Sequence, residues 1–468
     1  MTATWTRREA LNAAAVAAGG TVLGNLALAH AAGPGEFRLS TFKVDISPRI
    51  GMPQYSGAHT NATAIDDPIW AKGVVLLGGE QPVVLCSFDW CEIRNESYLL
   101  WQKTLAEAAG TTPGHVLITS IHQHDTPLGE VRAQEILEEY KVVGKVVDME
   151  YHQQCLDRVA AALKESLSQS QPVTHYGVGQ AKVERVASTR RVVLPDGKVT
   201  FSRYSRTSDA TLQSLPDGDI DPWLKTISFW NGEQALLALS MYSTHPMSYY
   251  GGGRVSCEFV GLAREQREQD DPQVPQIYVS GCSGDVTAGK YNDGQTANRG
   301  RLAERMYQGM LAAWKATEKR PLRQIEFRST AVLLPHREGP GLSAQDQERD
   351  LSDPAAPFAR KATAAMLLSS LQRNAQGHAF EVPSIDLGGA QIVLLPAEAF
   401  VGYQHMAQRL RPDDFVMAIG YGECSSGYIP LDKDIAEGFV REHGYCYAAE
   451  NAEELLTEAL TTVLQARR

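Results

Sequence analysis

His122 and His124 flank a glutamine in the segment His122-Gln123-His124-Asp125, which directly follows an apolar run. Two histidines two residues apart point to the same side of an extended chain, whereas a turn would splay them or bring them together. Imidazole nitrogens bind transition metals and exchange protons near neutral pH. The motif therefore indicates a metal or catalytic site, with a pair of hydrogen-bonded structural histidines as the alternative.

Polar residues follow several other apolar runs in the same way. They occur in Thr244-His245-Pro246, in Ser280-Gly281-Cys282-Ser283-Gly284-Asp285, in Pro396-Ala397-Glu398 and in the stretch from Gly420 to Tyr428. Each one alone could be a helix cap, a structural histidine or a glycine-rich turn. In open α/β sheets, however, ligands bind beyond the carboxyl ends of the strands. Together these strand ends predict one shared crevice.

The elements that must position these residues alternate between apolar strands and amphipathic helices, which predicts an α/β fold. We expect one large domain with a mixed β-sheet core flanked by helices and the site at the C-terminal strand ends. Asn231-Gly232 predicts a hairpin turn, and no internal repeat is visible. Strands are predicted at residues 82–89, 115–121, 226–230, 235–243, 277–280, 392–395 and 415–419, helices at 95–109, 148–168, 297–317, 355–374, 399–410 and 451–466, and a polar surface excursion at 336–354.

The composition is that of a soluble globular protein: 468 residues, 43% hydrophobic and 21% charged, with a net charge of −11. A nucleic-acid binder normally carries a basic stripe, and the sequence has no block rich in lysine and arginine, so we expect no nucleic-acid partner. Seven cysteines without Cys-x-x-Cys spacing argue against a zinc knuckle and against a disulfide scaffold. The expected partner is a small-molecule substrate or a substrate derived from a lipid or a sugar.

The N-terminal residues have the pattern of an export signal. Arg7-Arg8 precede a stretch without charge at residues 12–28, and Ala29-His30-Ala31 supplies a small-residue cleavage pattern. Paired arginines are typical of the twin-arginine pathway. We therefore predict a signal peptide at 1–31, a catalytic-type domain at 32–468, and a periplasmic or secreted protein. No other window resembles a transmembrane helix.

An ordered set of motifs resembles the N-terminal catalytic domain of the neutral/alkaline (non-lysosomal) ceramidase family. The resemblance runs from about Phe42 to near the C-terminus, as a short homologue without the C-terminal immunoglobulin-like domain of that family. It rests on the segments Phe42-Lys43-Val44-Asp45-Ile46-Ser47-Pro48, Val84 to Asp89, Thr119 to Pro127, Thr244-His245-Pro246, Ser283-Gly284-Asp285-Val286-Thr287, Pro396-Ala397-Glu398 and Gly427-Tyr428-Ile429-Pro430.

The resemblance implies one Zn²⁺ per chain, held by two histidines, a glutamate and a tyrosine. Carried over, the ligands are His122, His245, Glu398 and Tyr428, and Tyr421 lies close enough in sequence to Tyr428 to be an alternative. Such donors suit zinc. The implied catalytic residues are His124, Arg190, Asp285 and Thr287, where Thr287 takes the position of the family's serine. Arg191 and Tyr421 are implied to bind substrate, and Arg191 is an alternative to Arg190.

Departures from the family pattern bear on the substrate. Thr287 replaces the serine, Asp125 follows the histidine motif where the family has serine, and Cys257-Glu258 stands where an aspartate is usual. We therefore predict an exported zinc-dependent hydrolase that cleaves an amide (N-acyl) bond with a metal-activated water, and ceramide need not be its substrate. The alternatives are cleavage of a carbohydrate-derived glycosidic or ester bond and a non-catalytic sugar- or lipid-binding protein. A dinuclear site like that of metallo-β-lactamases is disfavoured because its H-x-H-x-D-H pattern is not met.

Overall fold

One order of elements occurs three times along the chain: three antiparallel strands, a helix, and a fourth strand parallel to the third. This arrangement comes from a computed structural model that describes residues 36–465, so the predicted signal peptide lies outside the described residues. Each repeat builds one mixed sheet. The helix in each repeat makes the crossover that a parallel pair of strands requires.

The three sheets follow one another in sequence. Their strands are β1 Arg38–Asp45, β2 Trp70–Leu77, β3 Val83–Phe88, β4 Val116–Ser120, β5 Gln171–Pro172, β6 His175–Lys182, β7 Trp223–Asn231, β8 Gln234–Tyr242, β9 Gln276–Ser280, β10 Glu318–Pro321, β11 Glu326–Val332, β12 Phe380–Asp386, β13 Ala390–Leu394 and β14 Phe415–Ile419. The first sheet has the order β4-β3-β2-β1-β5, the second β9-β8-β7-β6-β10, and the third β11-β12-β13-β14. The parallel pairs are β3/β4, β8/β9 and β13/β14.

Twelve helices and four two-residue ladders complete the described part. The helices are α1 Asn95–Ala109, α2 Val131–Glu139, α3 Met149–Ser166, α4 Ala210–Ser214, α5 Glu258–Asp270, α6 Ala297–Lys315, α7 Ala344–Ser352, α8 Phe358–Ala375, α9 Val401–Leu410, α10 Asp432–Ala436, α11 Phe439–Glu442 and α12 Ala452–Val463. The ladders pair Ala64–Ile65 with Arg254–Val255, Ser188–Thr189 with Val286–Thr287, Val192–Val193 with Val199–Thr200, and Glu398–Ala399 with Tyr428–Ile429.

The inner faces of the three sheets share one apolar core. Leu85 of β3, Leu237 of β8 and Leu394 of β13 all belong to it. Side chains alternate between the two faces of a strand, so the neighbours of these leucines along each strand lie on the other face of the sheet, where the helices pack. Val393, for example, packs in a cluster with residues of α9 and α12. The strands of the parallel pairs are therefore buried on both faces and appear in the sequence as continuous apolar runs.

The predicted α/β class, with mixed sheets flanked by helices, is confirmed. The core consists of three sheets rather than one. The strands on either side of Asn231-Gly232 do form an antiparallel hairpin. The excursion at 336–354 contains helix α7, because Ser343 and Asp346 form a capping box at its start.

All seven cysteines lie in the described part of the chain, where each is buried and unbridged. Small apolar core side chains are the common role of such cysteines. Among residues 36–465, no helix is long and apolar enough to cross a membrane.

Candidate metal centre

The final strands of the three repeats meet at their carboxyl ends. The amide of Ser120, at the end of β4, donates to the carbonyl of Tyr421 at 3.1 Å, and the Ser280 hydroxyl donates to the carbonyl of Ile121 at 2.8 Å. The amide of Gly420, after β14, donates to the carbonyl of Ser280 at 3.0 Å. This junction brings together the loops that follow the strands of all three sheets.

Three side chains from three different repeats converge beside this junction. Oε2 of Glu398 lies 2.8 Å from Nε2 of His245 and 3.3 Å from Nε2 of His122. All three side chains are buried, and one ligand atom from each lies within 4.8 Å of the others. Two imidazoles and a carboxylate at such spacing form a donor set that suits zinc.

Backbone carbonyls orient both rings. Nδ1 of His122 lies 3.0 Å from the carbonyl oxygen of Cys91, and Nδ1 of His245 lies 2.7 Å from that of Ser283. An Nδ1–H that donates to a carbonyl leaves the lone pair of the neutral ring on Nε2. Both lone pairs therefore point toward Glu398, as in rings that hold a metal through Nε2.

The charge distribution keeps the glutamate ionised. Burial raises the pKa of Glu398, but His122 and His245 outweigh it and hold that pKa well below the ordinary value. Burial and the nearby Arg190 guanidinium lower the pKa of His245 to about 4. A neutral His245 beside an anionic Glu398 is the protonation pattern that suits metal ligands. For His122, burial lowers the pKa but the Glu398 carboxylate outweighs it and raises the pKa.

Tyr428 lies beside Glu398, because the two residues are partners in the short parallel ladder Glu398–Ala399 with Tyr428–Ile429. Its ring centroid is 6.3 Å from that of His245, and the Arg190 guanidinium lies 5.0 Å from it. Burial raises the pKa of the Tyr428 phenol. The structure thus assembles all four predicted ligands at one place.

His124 forms the outer edge of the group. Its Nε2 lies 3.4 Å from Nε2 of His122, and its ring stacks on Tyr55 with the centroids 4.4 Å apart. Burial lowers its pKa well below the ordinary value. Arg190 lies on another side, where one of its terminal nitrogens is 3.1 Å from Nε2 of His245. Two of the four predicted catalytic side chains, those of His124 and Arg190, therefore border the centre.

Left-handed backbone occurs at the centre at three non-glycine residues. His122, Ala397 and Tyr421 have φ values of 66°, 53° and 56°. Each lies two or three residues beyond a strand, at the point where the chain turns into the site. Residues other than glycine adopt this conformation at a cost that the surrounding structure must offset, and such residues cluster at functional sites.

Three other predicted residues have partners that direct them elsewhere. The Thr287 hydroxyl donates to the carbonyl of Tyr204 at 2.9 Å. The Asp285 carboxylate accepts the Val401 amide at 2.8 Å at the start of α9, and burial raises its pKa to about 7. Arg191 forms a two-pronged ion pair with Glu437, with both N–O distances at 2.5 Å.

Tyr421 supports the ligands from behind. Its ring stacks on His122, with the centroids 4.4 Å apart, and its hydroxyl hydrogen-bonds Ser283 at 2.7 Å. The same hydroxyl lies 3.3 Å from Nδ1 of His245, the nitrogen that faces away from Glu398. Tyr428 is therefore better placed than Tyr421 to be the fourth ligand.

Sequence reasoning missed two sets of residues. Glu92 lies behind His122, with its Oε1 3.9 Å from Nδ1, and accepts a hydrogen bond from the Tyr445 hydroxyl at 2.9 Å. Tyr55 and Tyr250 contact the outer side of His124. Glu92 follows strand β3 and could have been found by the strand-end rule. The two tyrosines lie in loops that carry no such signal.

A second group could hold a metal ion, formed by Cys91, His122 and His124. It shares His122 with the first group. Sγ of Cys91 lies 3.8 Å from Nδ1 of His122, whereas Nε2 of His124 faces Nε2 of that ring. Because Cys91 and His124 approach opposite edges of His122, the group with Glu398 is the better-formed centre.

The fold is similar to that of neutral ceramidase. A crystal structure of neutral ceramidase from Pseudomonas aeruginosa matches with a TM-score of 0.65 and 16% sequence identity, over 92% of this chain and 75% of that chain. A structure of ceramidase complexed with C2 matches with a TM-score of 0.66 and 15% identity, over the same shares. No protein-family profile and no curated protein matches the sequence. The resemblance seen in the sequence is thus confirmed for the fold.

Proposed function

We propose that this protein is a zinc-dependent hydrolase that cleaves an amide (N-acyl) bond. The observation that carries the proposal is the convergence of Nε2 of His122, Nε2 of His245 and one carboxylate oxygen of Glu398. His122, His245 and Glu398 would hold the zinc ion, with Tyr428 as the fourth ligand. The ceramidase-like fold supports the same reaction class, although the fold alone does not decide an activity.

Bound zinc would supply Lewis acidity, which polarises a carbonyl group and makes water more acidic. The chain supplies the other groups that amide hydrolysis needs. Arg190 is buried, and its Nε has no hydrogen-bond partner among the described residues. Its guanidinium is placed to donate to a substrate oxygen that becomes negative during the reaction. His124 borders the same space and is placed to move a proton from water to the leaving amine.

Two of the predicted catalytic roles become structural in this proposal. The Thr287 hydroxyl is occupied by the carbonyl of Tyr204, so Thr287 shapes the loop rather than attacking the substrate. Asp285 holds the start of α9, the helix that follows Glu398. Activated water is then the nucleophile. For residues 1–31 we propose the export role that their sequence pattern indicates, with a periplasmic or secreted protein as the result.

The test is metal analysis of the purified protein together with hydrolysis of N-acyl and glycoside substrates before and after chelation. We expect one zinc ion per chain and an amide hydrolysis that stops on chelation and returns with zinc. His122→Ala and His245→Ala should each lose bound zinc. His378→Ala, at an exposed position, is the matched control and should keep it.

Several outcomes would contradict the proposal. Unchanged hydrolysis after complete metal removal would exclude the zinc mechanism, and stoichiometric zinc in both histidine variants would exclude the ligand assignment. Two ions per chain would support the dinuclear site with Cys91 and His124. Cleavage of glycosides or esters alone, or binding without turnover, would support the alternatives named above.

A further inference from the structure

Three ring side chains cluster beside His124, at the edge of the candidate centre. The Tyr55 ring lies between those of His124 and His59, with centroid distances of 4.4 and 4.6 Å and nearly parallel planes. The Tyr250 ring lies 5.2 Å from that of His124 and 5.6 Å from that of His59. We call Tyr55, His59 and Tyr250 the ring wall. All three side chains are half-buried, so part of each remains open to a ligand.

The backbone holds the ring wall firmly. Tyr55 and Ser56 have φ values of 45° and 54°, and the Tyr55 amide donates to the carbonyl of Thr126 at 2.9 Å. The Tyr250 loop is held by the Gly251 amide, which donates to Asp125 at 2.8 Å. Strained backbone that is fixed in this way is characteristic of pre-organised binding sites.

Polar atoms at the ring wall lack protein partners. The Tyr55 hydroxyl and Nε2 of His59 form no hydrogen bond with any described residue, although both residues are half-buried. On the other side of the centre, beside His245 and Tyr428, the buried Nε of Arg190 also lacks a partner among the described residues. The Tyr250 hydroxyl lies 3.1 Å from the Ser205 hydroxyl, where the pair presents further donors and acceptors. A ligand that fits here must supply several polar groups.

Flat ring faces with polar groups at their edges suit a hydroxylated ring. The faces of the Tyr55 ring are covered by His124 and His59, so the C–H face of such a ligand would pack on the exposed parts of His59 and Tyr250. Its hydroxyls would bond to the polar atoms at the ring edges. An alkyl chain in the same place would leave the tyrosine hydroxyl and the imidazole nitrogen desolvated and unpaired, which is unfavourable for each group. The ring wall therefore selects against a long hydrocarbon.

We infer that the ring wall binds a hydroxylated ring, and that the amide cleaved at the centre joins an acyl group to an amino sugar. This inference rests on the proposed function. In the reaction, the oxygen of water forms a bond with the acyl carbon and the C–N bond breaks. The nitrogen takes a proton, so the products are a carboxylate and an amino sugar.

The experiment measures binding by calorimetry on the zinc-loaded protein. The probes are N-acetylglucosamine, N-acetylgalactosamine and N-acetylmannosamine, with N-cyclohexylacetamide as a ring without hydroxyls and N-acetylsphingosine as an acyclic diol with an alkyl chain. We expect at least one N-acetyl amino sugar to bind about 10-fold more tightly than the other two classes, as one or two good hydrogen bonds would give.

Variants assign that preference to the ring wall. Tyr55→Phe and Tyr250→Phe each remove one hydroxyl and keep the ring, and should weaken amino-sugar binding about 3- to 10-fold while leaving N-cyclohexylacetamide unchanged. Tyr307→Phe is the matched control, since its hydroxyl bonds to Asp270 on the outer side of α6. The zinc content of each variant shows whether the centre is intact.

Two results would overturn the inference: tighter binding of N-acetylsphingosine than of all three amino sugars, or amino-sugar affinities unchanged in both tyrosine variants. Failure of the proposed function would look different. Protein without zinc and without hydrolysis that still prefers amino sugars would keep the inference about the ring wall and exclude the zinc mechanism. Zinc-dependent amide hydrolysis without a preference for amino sugars would support the zinc mechanism and exclude the inference about the ring wall.

Discussion

Each histidine at the centre is oriented by a carbonyl on its far side. The carbonyl of Cys91 binds Nδ1 of His122, and the carbonyl of Ser283 binds Nδ1 of His245. Such outer contacts fix the tautomer and the ring angle, and in metal sites they matter almost as much as the ligands. Glu92 adds a buried acidic side chain behind His122: burial raises its pKa, while Arg94 and His122 favour its negative charge.

Replacing Glu92 by glutamine tests that charge. Because the carboxylate faces Nδ1 of His122, we expect Glu92→Gln to raise the zinc dissociation constant about 10-fold, at the lower end of the range for outer residues of metal sites. Competition with a coloured chelator measures it. Glu107→Gln, at an exposed position of α1, is the control. Equal zinc affinity in both variants would show that Glu92 has no part in holding the metal.

In the proposed function, the roles implied for Thr287 and Arg191 change for one reason: their polar atoms already have partners within the folded chain. Arg191 follows Arg190 in sequence, but its guanidinium group forms an ion pair with Glu437. The Arg190 side chain instead is buried against His245 and Tyr428. Adjacent residues of an extended segment point to opposite sides. Arg190 and Arg191 are alternatives in the sequence, and their tertiary partners favour Arg190 in the proposed function.

The short ladder of Glu398–Ala399 with Tyr428–Ile429 carries two of the proposed ligands. Glu398 and Tyr428 are neighbours across it, and Gly284 packs directly under Glu398. The Gly284 amide donates to the carbonyl of Ala399 at 3.0 Å. A Cβ on Gly284 would lie 2.1 Å from the carbonyl oxygen of Glu398. Only glycine allows this close approach of two backbones.

Gly284→Ala should therefore displace the ladder. We expect a loss of about 1–3 kcal/mol of unfolding free energy, as in other overpacked sites, together with weaker zinc binding. Chemical denaturation and the chelator titration measure the two effects. Gly300→Ala is the control, because a Cβ there meets no atom within 4 Å and lies in helix α6. It should leave zinc binding unchanged and stabilise the helix slightly. Equal behaviour of the two variants would contradict the packing argument.

For the molecule as a whole, the candidate centre links three sheets. His122 follows the first sheet, His245 belongs to the second repeat and Glu398 to the third. A ligand that binds the folded chain and not the unfolded chain stabilises it by mass action. Zinc bound here would therefore tie together the three repeats.

Zinc should raise the midpoint of thermal unfolding. At 100 times the dissociation constant the gain is about 2.7 kcal/mol, which corresponds to roughly 3 °C for a chain of this size. Scanning calorimetry with zinc and with a chelator measures the shift. In His245→Ala the shift should disappear. An equal shift in that variant would place the stabilising zinc at another site.

The sequence alone determined the local elements and the chemistry of the strand ends. Apolar runs mark the buried strands and a helix was correctly predicted at 95–109, because both patterns depend on neighbours in sequence. The ordered motifs also indicated the ceramidase-like fold, which the structure comparisons confirm. The same ordered motifs predict one set of metal ligands, formed by His122, His245, Glu398 and Tyr428.

The tertiary structure decided what depends on residues far apart in sequence. No repeat is visible in the sequence, yet the same order of strands and helix occurs three times, because packing requires only an apolar face and not identical residues. Thr287 contacts Tyr204 and Arg191 contacts Glu437, and these contacts form only after the chain has folded. The ring wall likewise combines Tyr55 with Tyr250 from separate loops, and no local pattern could predict that meeting.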